Sequence, residues 1–130
     1  MPSAPSTGEP ARVRFIRYKG KSILLQDFSN MRPGPEFFDA VRAAKAMIAS
    51  QPPKSVLTLL DATNSVFDAE VLSVLKDFAK ANTPFMKSTT VVGITGLKAV
   101  GLIAVSRAAG RPIKPFATRD EAMEYLAALE

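Results

Sequence analysis

The sequence predicts an α/β fold in which a mixed, mainly parallel sheet, opened by an antiparallel β-hairpin, is flanked by about four helices. Two apolar runs near the start of the chain are separated by a short glycine turn, which is typical of a hairpin. After the hairpin, short β-rich runs alternate with longer segments whose apolar residues recur at helical spacing. This alternation is typical of a parallel sheet with right-handed crossovers, and the predicted order is ββαβαβαβα.

The start of the chain predicts the hairpin and one helix. Strands are expected at 12–18 and 22–28, on either side of the Lys-Gly-Lys turn at 19–21. The Gly-Pro pair at 34–35 favours a helix start, because the fixed φ of proline suits the first helical position. Apolar residues at helical spacing then predict a helix over 36–50, which the following Pro-Pro pair ends.

The middle of the chain predicts a buried strand followed by a capped helix. Residues 56–60 form an apolar run of the kind found in parallel strands that are covered on both faces. A loop is expected over 62–67, and the Asp68 side chain can accept a hydrogen bond from a backbone N–H of the next helix. Apolar residues from Val71 to Ala79 predict the face of this helix that meets the core.

The last third of the chain predicts strand, helix, strand and helix. The strands are expected at 89–94 and 113–116, and Thr118 can cap the final helix as part of a capping box. The helix over 97–109 is apolar on nearly every side. Such a helix must be buried on several sides or meet a partner.

Length and composition indicate one domain with a tail. A chain of 130 residues suits a single domain, which we expect over 12–130. Residues 1–11 contain three prolines, two serines and a glycine, so we expect a disordered tail there and not a signal peptide. The longest apolar run, over 99–105, is far shorter than the about 20 residues that span a bilayer. We therefore expect a cytoplasmic protein without a membrane span.

Histidine and cysteine are both absent from the chain. Their absence excludes disulfides, thiolate nucleophiles, imidazole bases and the usual ligands of zinc. Carboxylate, lysine, arginine, tyrosine and hydroxyl chemistry remains possible. Our expectation of no catalytic residue, no cofactor and no metal site is supported by these absences but does not rest on them alone.

The surplus of positive charge lies in one short stretch. The net charge is +5, and Arg12, Arg14, Arg17, Lys19 and Lys21 supply five positive charges with no acid between them. On an edge strand such residues discourage aggregation between strands, which is the interpretation that we favour. The alternative is a nucleic-acid-binding face, but few aromatic rings accompany these bases.

Two α/β families invite comparison, and the first is the receiver domain of response regulators. Asp61, Thr95 and Lys114 are similar to its phosphoacceptor, switch hydroxyl and lysine, with Gln26 and Asp27 in place of its acidic pair. The order of elements argues against this resemblance, because only one predicted helix separates Asp27 from Asp61 and the chain opens with a hairpin.

The second family fits the predicted order. The chain beyond its tail resembles the SpoIIAA-like branch of the STAS superfamily (sulfate transporter and anti-sigma-factor antagonist domains), also described as STAS/Sec14-like. The resembling stretches are YKGKSILLQDFS at 18–29, SVLTLLDATNSVFDAEVLSVLKDFAKAN at 55–82, VVGITGLKAVGLIAVS at 91–106 and GRPIKPFATRDEAMEYL at 110–126. The resemblance implies a STAS-like fold and a regulatory or interaction role without catalysis.

The chain departs from this family at the phosphorylation motif. Anti-sigma-factor antagonists of this fold carry Asp-Ser-Ser-Gly at a helix start, where this chain has Asp68-Ala69-Glu70-Val71. The serine that a kinase would phosphorylate is therefore missing. Glu70 could mimic a phosphoserine or serve as an ordinary first-turn acid, and we favour the second role because such acids are common in helices.

Residues that follow the central strands, together with the apolar helix, form the candidate interaction or ligand surface. These residues are Asp61, Thr63, Ser65, Phe67, Asp68, Glu70, Thr95, Gly96, Lys98 and Leu102. Three of them, Asp61, Asp68 and Glu70, could converge on a magnesium ion, although we favour the simpler roles of a helix cap and solvated acids. Residues 93–98 could hold an anion at a helix start or form a tight glycine turn, which we favour.

We therefore expect a regulatory or interaction module that binds a protein partner or a second copy of itself, through the helix at 97–109 and the loop at 61–70. Two alternatives stay open. The domain could bind a small apolar or lipid ligand, or it could perform magnesium-dependent phosphoryl chemistry with Asp61, Asp68 and Glu70. A nucleic-acid partner is the interpretation that we favour least.

Overall fold

A computed structural model describes residues 11–129, and the elements follow the predicted order. They are β1 (Val13–Tyr18), β2 (Lys21–Asp27), α1 (Pro35–Ala49), β3 (Val56–Asp61), α2 (Ala69–Asn82), β4 (Met86–Val92), α3 (Leu97–Ala109), β5 (Lys114–Phe116) and α4 (Arg119–Ala127). Within the described part of the chain, no helix combines the length and the apolar character needed to cross a membrane. The tail predicted over 1–11 lies outside the described residues, apart from Ala11.

The sheet has five strands in the order β1-β2-β3-β4-β5. β1 and β2 are antiparallel, and the turn between them uses two residues with positive φ, Lys19 (49°) and Gly20 (82°). The other neighbouring strands are all parallel, as predicted. The receiver-like alternative is therefore wrong, because the doubly wound sheet of a receiver has the strand order 2-1-3-4-5.

β4 differs from its prediction in length and position. It begins at Met86 and ends at Val92, whereas the sequence predicts a strand over 89–94. Its first half is mostly polar and therefore resembles a loop in sequence. In the structure, a 3₁₀ turn at Thr83–Phe85 leads directly into Met86, which pairs with Val56 of β3 next to a register irregularity.

Helices cover both faces of the sheet. α1, α2 and α3 pack on one face, where Leu24 and Val56 belong to the core. α4 packs on the other face, against a second core that contains Ile23 and Leu25. Consecutive residues of β2 therefore face opposite layers, as the strand period requires. β3 is buried along nearly its whole length, which confirms the predicted central strand.

Short-range signals set the starts of three helices. Pro35 opens α1. Asp68 Oδ1 accepts a hydrogen bond from Val71 N at 2.8 Å where α2 begins. At α4, Thr118 Oγ1 accepts one from Glu121 N at 3.2 Å. Each signal acts within three residues, so these helix starts are readable from sequence.

The basic stretch lies on and beside β1, which is an edge strand as predicted. Two of its cations pair with acids elsewhere in the domain. Arg12 Nε lies 3.3 Å from Glu36 Oε2, and Lys19 Nζ lies 2.6 Å from Glu124 Oε2. These pairs tie the edge of the sheet to helices in both layers.

Candidate functional site

The carboxyl ends of β2 and β3 bring two aspartates side by side. Asp27 and Asp61 are register partners in this parallel pair. Arg119, in the first turn of α4, reaches both of them: its Nε lies 2.6 Å from Asp61 Oδ2, and its Nη2 lies 3.2 Å from Asp27 Oδ1. The guanidinium therefore ties α4 to the edge of the sheet where open α/β folds place their ligands.

Each aspartate also organises the loop that follows its strand. Asp61 Oδ1 accepts hydrogen bonds from Thr63 N at 2.9 Å and from Thr63 Oγ1 at 2.6 Å. Asp27 Oδ1 accepts equivalent bonds from the backbone N–H and the hydroxyl of Ser29. Burial raises the pKa of the Asp61 carboxyl, but the bonds from Thr63 and Arg119 outweigh burial and hold this pKa below its usual range.

The lowered pKa of Asp61 predicts a loss of stability in acid. A carboxyl whose pKa is lower in the folded than in the unfolded chain stabilises the fold at pH values above its unfolded pKa. That contribution is lost as the pH falls from the unfolded pKa of about 3.9 through the folded one. We expect the Tm of the wild type to fall more steeply below about pH 4 than the Tm of Asp61→Asn. Circular dichroism measures both, and parallel Tm curves for the two proteins would contradict this role of Asp61.

The other predicted acids have local roles. Asp68 caps α2, and Glu70 is exposed in the first turn of the same helix. Asp61 is held by Arg119 instead of facing the other two acids. Among residues 11–129, no three carboxylate, histidine or cysteine side chains form a group that could hold a metal ion. In the described part of the chain, these three acids therefore do not form one group, which argues against the alternative of a magnesium site.

Lys98 connects the start of α3 to the loop after β3. Its Nζ donates hydrogen bonds to the carbonyl oxygens of Ala62 at 2.9 Å and of Ser65 at 3.4 Å. The same atom lies 6.0 Å from the centre of the Phe67 ring. The ammonium group is therefore engaged by its own chain, which argues against the less favoured alternative of an anion site at 93–98.

The turn between β4 and α3 depends on Gly93. Its φ is 78°, and a Cβ at this position would lie 2.4 Å from Thr63 N. Glycine therefore lets the turn approach the loop after β3, which confirms the interpretation of this segment as a tight turn. Thr95 and Gly96 are exposed just before α3.

The inner face of α3 consists of small residues. Gly101, Val105 and Ala109 are buried at a spacing of four positions. A Cβ at Gly101 would lie 2.8 Å from Leu72 Cδ2 of α2, so the two helices pack closely at this point. Close packing of this kind requires a small side chain at the point where the two helices meet.

The outer face of α3 is apolar and exposed. Leu97, Val100 and Ile103, three positions apart, are 89%, 65% and 56% exposed. Val66, in the loop that Lys98 holds, is 44% exposed. We call Val66, Leu97, Val100 and Ile103 the α3 patch. Clustered exposure of large apolar side chains is typical of surfaces that meet a partner.

A cavity of about 70 Å³ lies beneath α3, between this helix, α2 and the sheet. Three residues predicted for the candidate surface, Phe67, Lys98 and Leu102, line this cavity and are half-buried. Leu102 therefore lies between the helix and the sheet and not on the exposed face of α3.

Arg119 is the main residue of this region that the sequence analysis misses. It stands 58 positions after Asp61, so no local pattern joins the two residues. One signal in the sequence could have pointed to Arg119. The helix dipole disfavours a cation in the first turn of a helix, so a basic residue directly after the Thr118 cap indicates a carboxylate partner elsewhere in the fold.

The fold and the site can be compared with known proteins. No protein-family model and no curated protein matches the sequence. Among solved structures, the chain is similar to an anti-sigma-factor antagonist (STAS) domain protein from Planctomyces limnophilus, with a TM-score of 0.54 and 13% sequence identity. The similarity covers 91% of this chain and 100% of that chain. The chain therefore has the STAS fold that its order of elements and its sequence resemblance predict.

Proposed function

We propose that this chain is a regulatory module without catalytic activity, that it acts by association through the α3 patch, and that a second copy of the chain is its partner. The main support is the exposure of Leu97, Val100 and Ile103, three large apolar side chains on one face of α3. The STAS fold agrees with a regulatory role, because the similar protein from Planctomyces limnophilus is described as an anti-sigma-factor antagonist (STAS) domain protein.

The distribution of charge is compatible with a second copy as the partner. The chain carries a net charge of +5, so two copies repel each other wherever their basic surfaces meet. The α3 patch itself is uncharged, and Lys98 turns away from it towards loop carbonyl oxygens. If two α3 helices cross near Val100 in antiparallel directions, their Arg107 residues lie about 20 Å apart. That distance exceeds the screening length of about 8 Å.

The modest size of the α3 patch predicts a weak and reversible dimer. Four side chains cover less area than the interface of a typical permanent dimer. Because association also costs translational and rotational freedom, we expect a dissociation constant of about 1–100 µM.

The double variant Val100→Glu/Ile103→Glu tests this association. Both side chains are more than half exposed, so the fold should survive their replacement, whereas four carboxylates brought together in a dimer should repel each other. We expect sedimentation equilibrium to show the wild type approaching twice its mass of 14.0 kDa as concentration rises. The variant should remain a monomer at the same concentrations.

Ala43→Glu/Ala46→Glu is the matched control. It places two acids at the same spacing on exposed positions of α1, and it should dimerise as the wild type does. A wild type that stays monomeric at every concentration, or a patch variant that dimerises like the control, would overturn the choice of a second copy. A wild-type monomer that binds a different protein only through an intact patch would assign the surface to that protein instead.

A further inference from the structure

The cavity beneath α3 has mostly apolar walls. Its lining includes Leu60, Leu75, Phe78, Val91, Leu102 and Val105. Its volume of about 70 Å³ is several times the about 10–15 Å³ that one water molecule requires. The wall also contains half-buried residues such as Ile94, so the cavity lies close to the protein surface.

One polar side chain in this wall has a hydrogen-bonding atom without a partner. Gln26 of β2 lines the cavity and is only 2% exposed. No group among residues 11–129 donates a hydrogen bond to its Oε1. Burial of an amide oxygen is unfavourable unless a donor meets it, and nearly all such atoms in folded proteins have one. Gln26 Oε1 is therefore a hydrogen-bond acceptor in the wall of this cavity that no group of the described residues satisfies.

The charges around the cavity favour a neutral ligand. Its charged lining residues are two cations, Lys98 and Arg111, which would repel a cationic ligand. Both cations are already engaged by the protein, Lys98 with loop carbonyl oxygens. Arg111 donates hydrogen bonds to Ala79 O, Thr83 Oγ1 and Thr89 Oγ1. An anion would therefore enter an apolar space without a free cation to pair with.

We propose that this cavity binds a small neutral molecule with an apolar body and one hydroxyl group, which donates a hydrogen bond to Gln26 Oε1. A cavity of about 150 Å³ accommodates benzene. By this standard, the cavity of about 70 Å³ accommodates a body of about three carbon atoms. This inference goes beyond the proposed function, because the cavity lies on the inner side of α3 and the α3 patch lies on its outer side.

Titration with 1-propanol and ethyl methyl ether, followed by two-dimensional amide NMR, tests the proposal. The two molecules are isomers, but only the alcohol has a donor for Gln26. We expect saturable shifts at residues that line the cavity, with the alcohol binding about three- to tenfold more tightly than the ether. In Gln26→Leu this preference should disappear, because the acceptor is gone while the volume is nearly conserved.

Two further variants keep the test decisive even if Gln26→Leu fails to fold. Leu102→Phe enlarges a half-buried side chain in the cavity wall, and it should weaken the binding of both isomers. The patch variant Val100→Glu/Ile103→Glu should bind 1-propanol as the wild type does, so a failure of the proposed dimer leaves this result intact.

Three results would overturn the proposal. The first is a change in amide chemical shift that rises linearly with the concentration of either isomer and does not saturate in the wild type. Such a change reports a solvent effect only. The second is an unchanged preference for the alcohol in Gln26→Leu. The third is undiminished binding in Leu102→Phe, which would place the binding site outside this cavity.

Discussion

Replacing Gly93 with alanine should lower the free energy of unfolding by about 3–5 kcal/mol. Gly93 has a φ of 78°, where alanine is strained, and the added carbon would lie 2.4 Å from Thr63 N and 2.5 Å from Thr63 Cα. Both of these atoms belong to the backbone and cannot rotate away. Either the turn before α3 or the loop after β3 must therefore move. Urea denaturation at neutral pH measures the loss.

Gly110→Ala separates the steric part of this effect from the backbone strain. Gly110 has a φ of 70°, but an added carbon there meets nothing within 4 Å. We expect a loss of only about 1–2 kcal/mol, the cost of left-handed backbone for a residue with a side chain. Equal losses for the two variants would show that the contact with Thr63 contributes nothing.

Replacing Arg119 with methionine should destabilise the fold by about 2–4 kcal/mol. The Arg119 side chain is itself 36% exposed, but the side chain of Asp61 that it meets is only 9% exposed. Without Arg119, the Asp61 carboxylate keeps its bonds from Thr63 and loses its cation. The pKa of Asp61 should therefore rise, and the steep loss of stability in acid should begin at a higher pH than in the wild type.

Arg42→Met is the control for this second prediction. Arg42 pairs with Asp39 on the surface of α1, where the two side chains are 72% and 68% exposed. Water screens such a pair, so we expect a change within about 0.5 kcal/mol. Thermal denaturation compares the two variants. An equally small loss of stability in Arg119→Met would show that Arg119 does not stabilise the packing of α4 on the sheet.

The order of elements was predictable because its signals are local. Hydrophobic periodicity distinguishes strands from helices within a few residues, and the caps of α2 and α4 act over three positions. β4 is the exception. The polar residues at its start resemble a loop, and only pairing with β3 reveals the strand.

The candidate site was less predictable because it is built from residues that are distant in sequence. Asp61 was predicted, but its partner Arg119 comes from α4, on the other face of the sheet from α3. The cavity depends on how closely α2 and α3 pack, and sequence does not give that distance. One feature of the sequence does single out Gln26: it is a polar residue that follows three apolar residues in β2.

α3 shows why one sequence pattern allowed two outcomes. A helix that is apolar on all sides predicts either burial on several sides or a partner. The choice depends on Gly101, whose close approach to Leu72 draws the small residues of α3 inward. Leu97, Val100 and Ile103 are left facing solvent, which is the basis of the proposed association.

Disulfide cross-linking tests that association most directly, since the chain has no cysteine of its own. If two α3 helices cross near Val100, a cysteine there faces its copy within the short distance that a disulfide requires. We expect Val100→Cys to oxidise to a species of twice 14.0 kDa, while Ala46→Cys, exposed on α1, stays a monomer under the same conditions. Equal cross-linking of the two variants, or none at Val100→Cys, would contradict a dimer through the α3 patch.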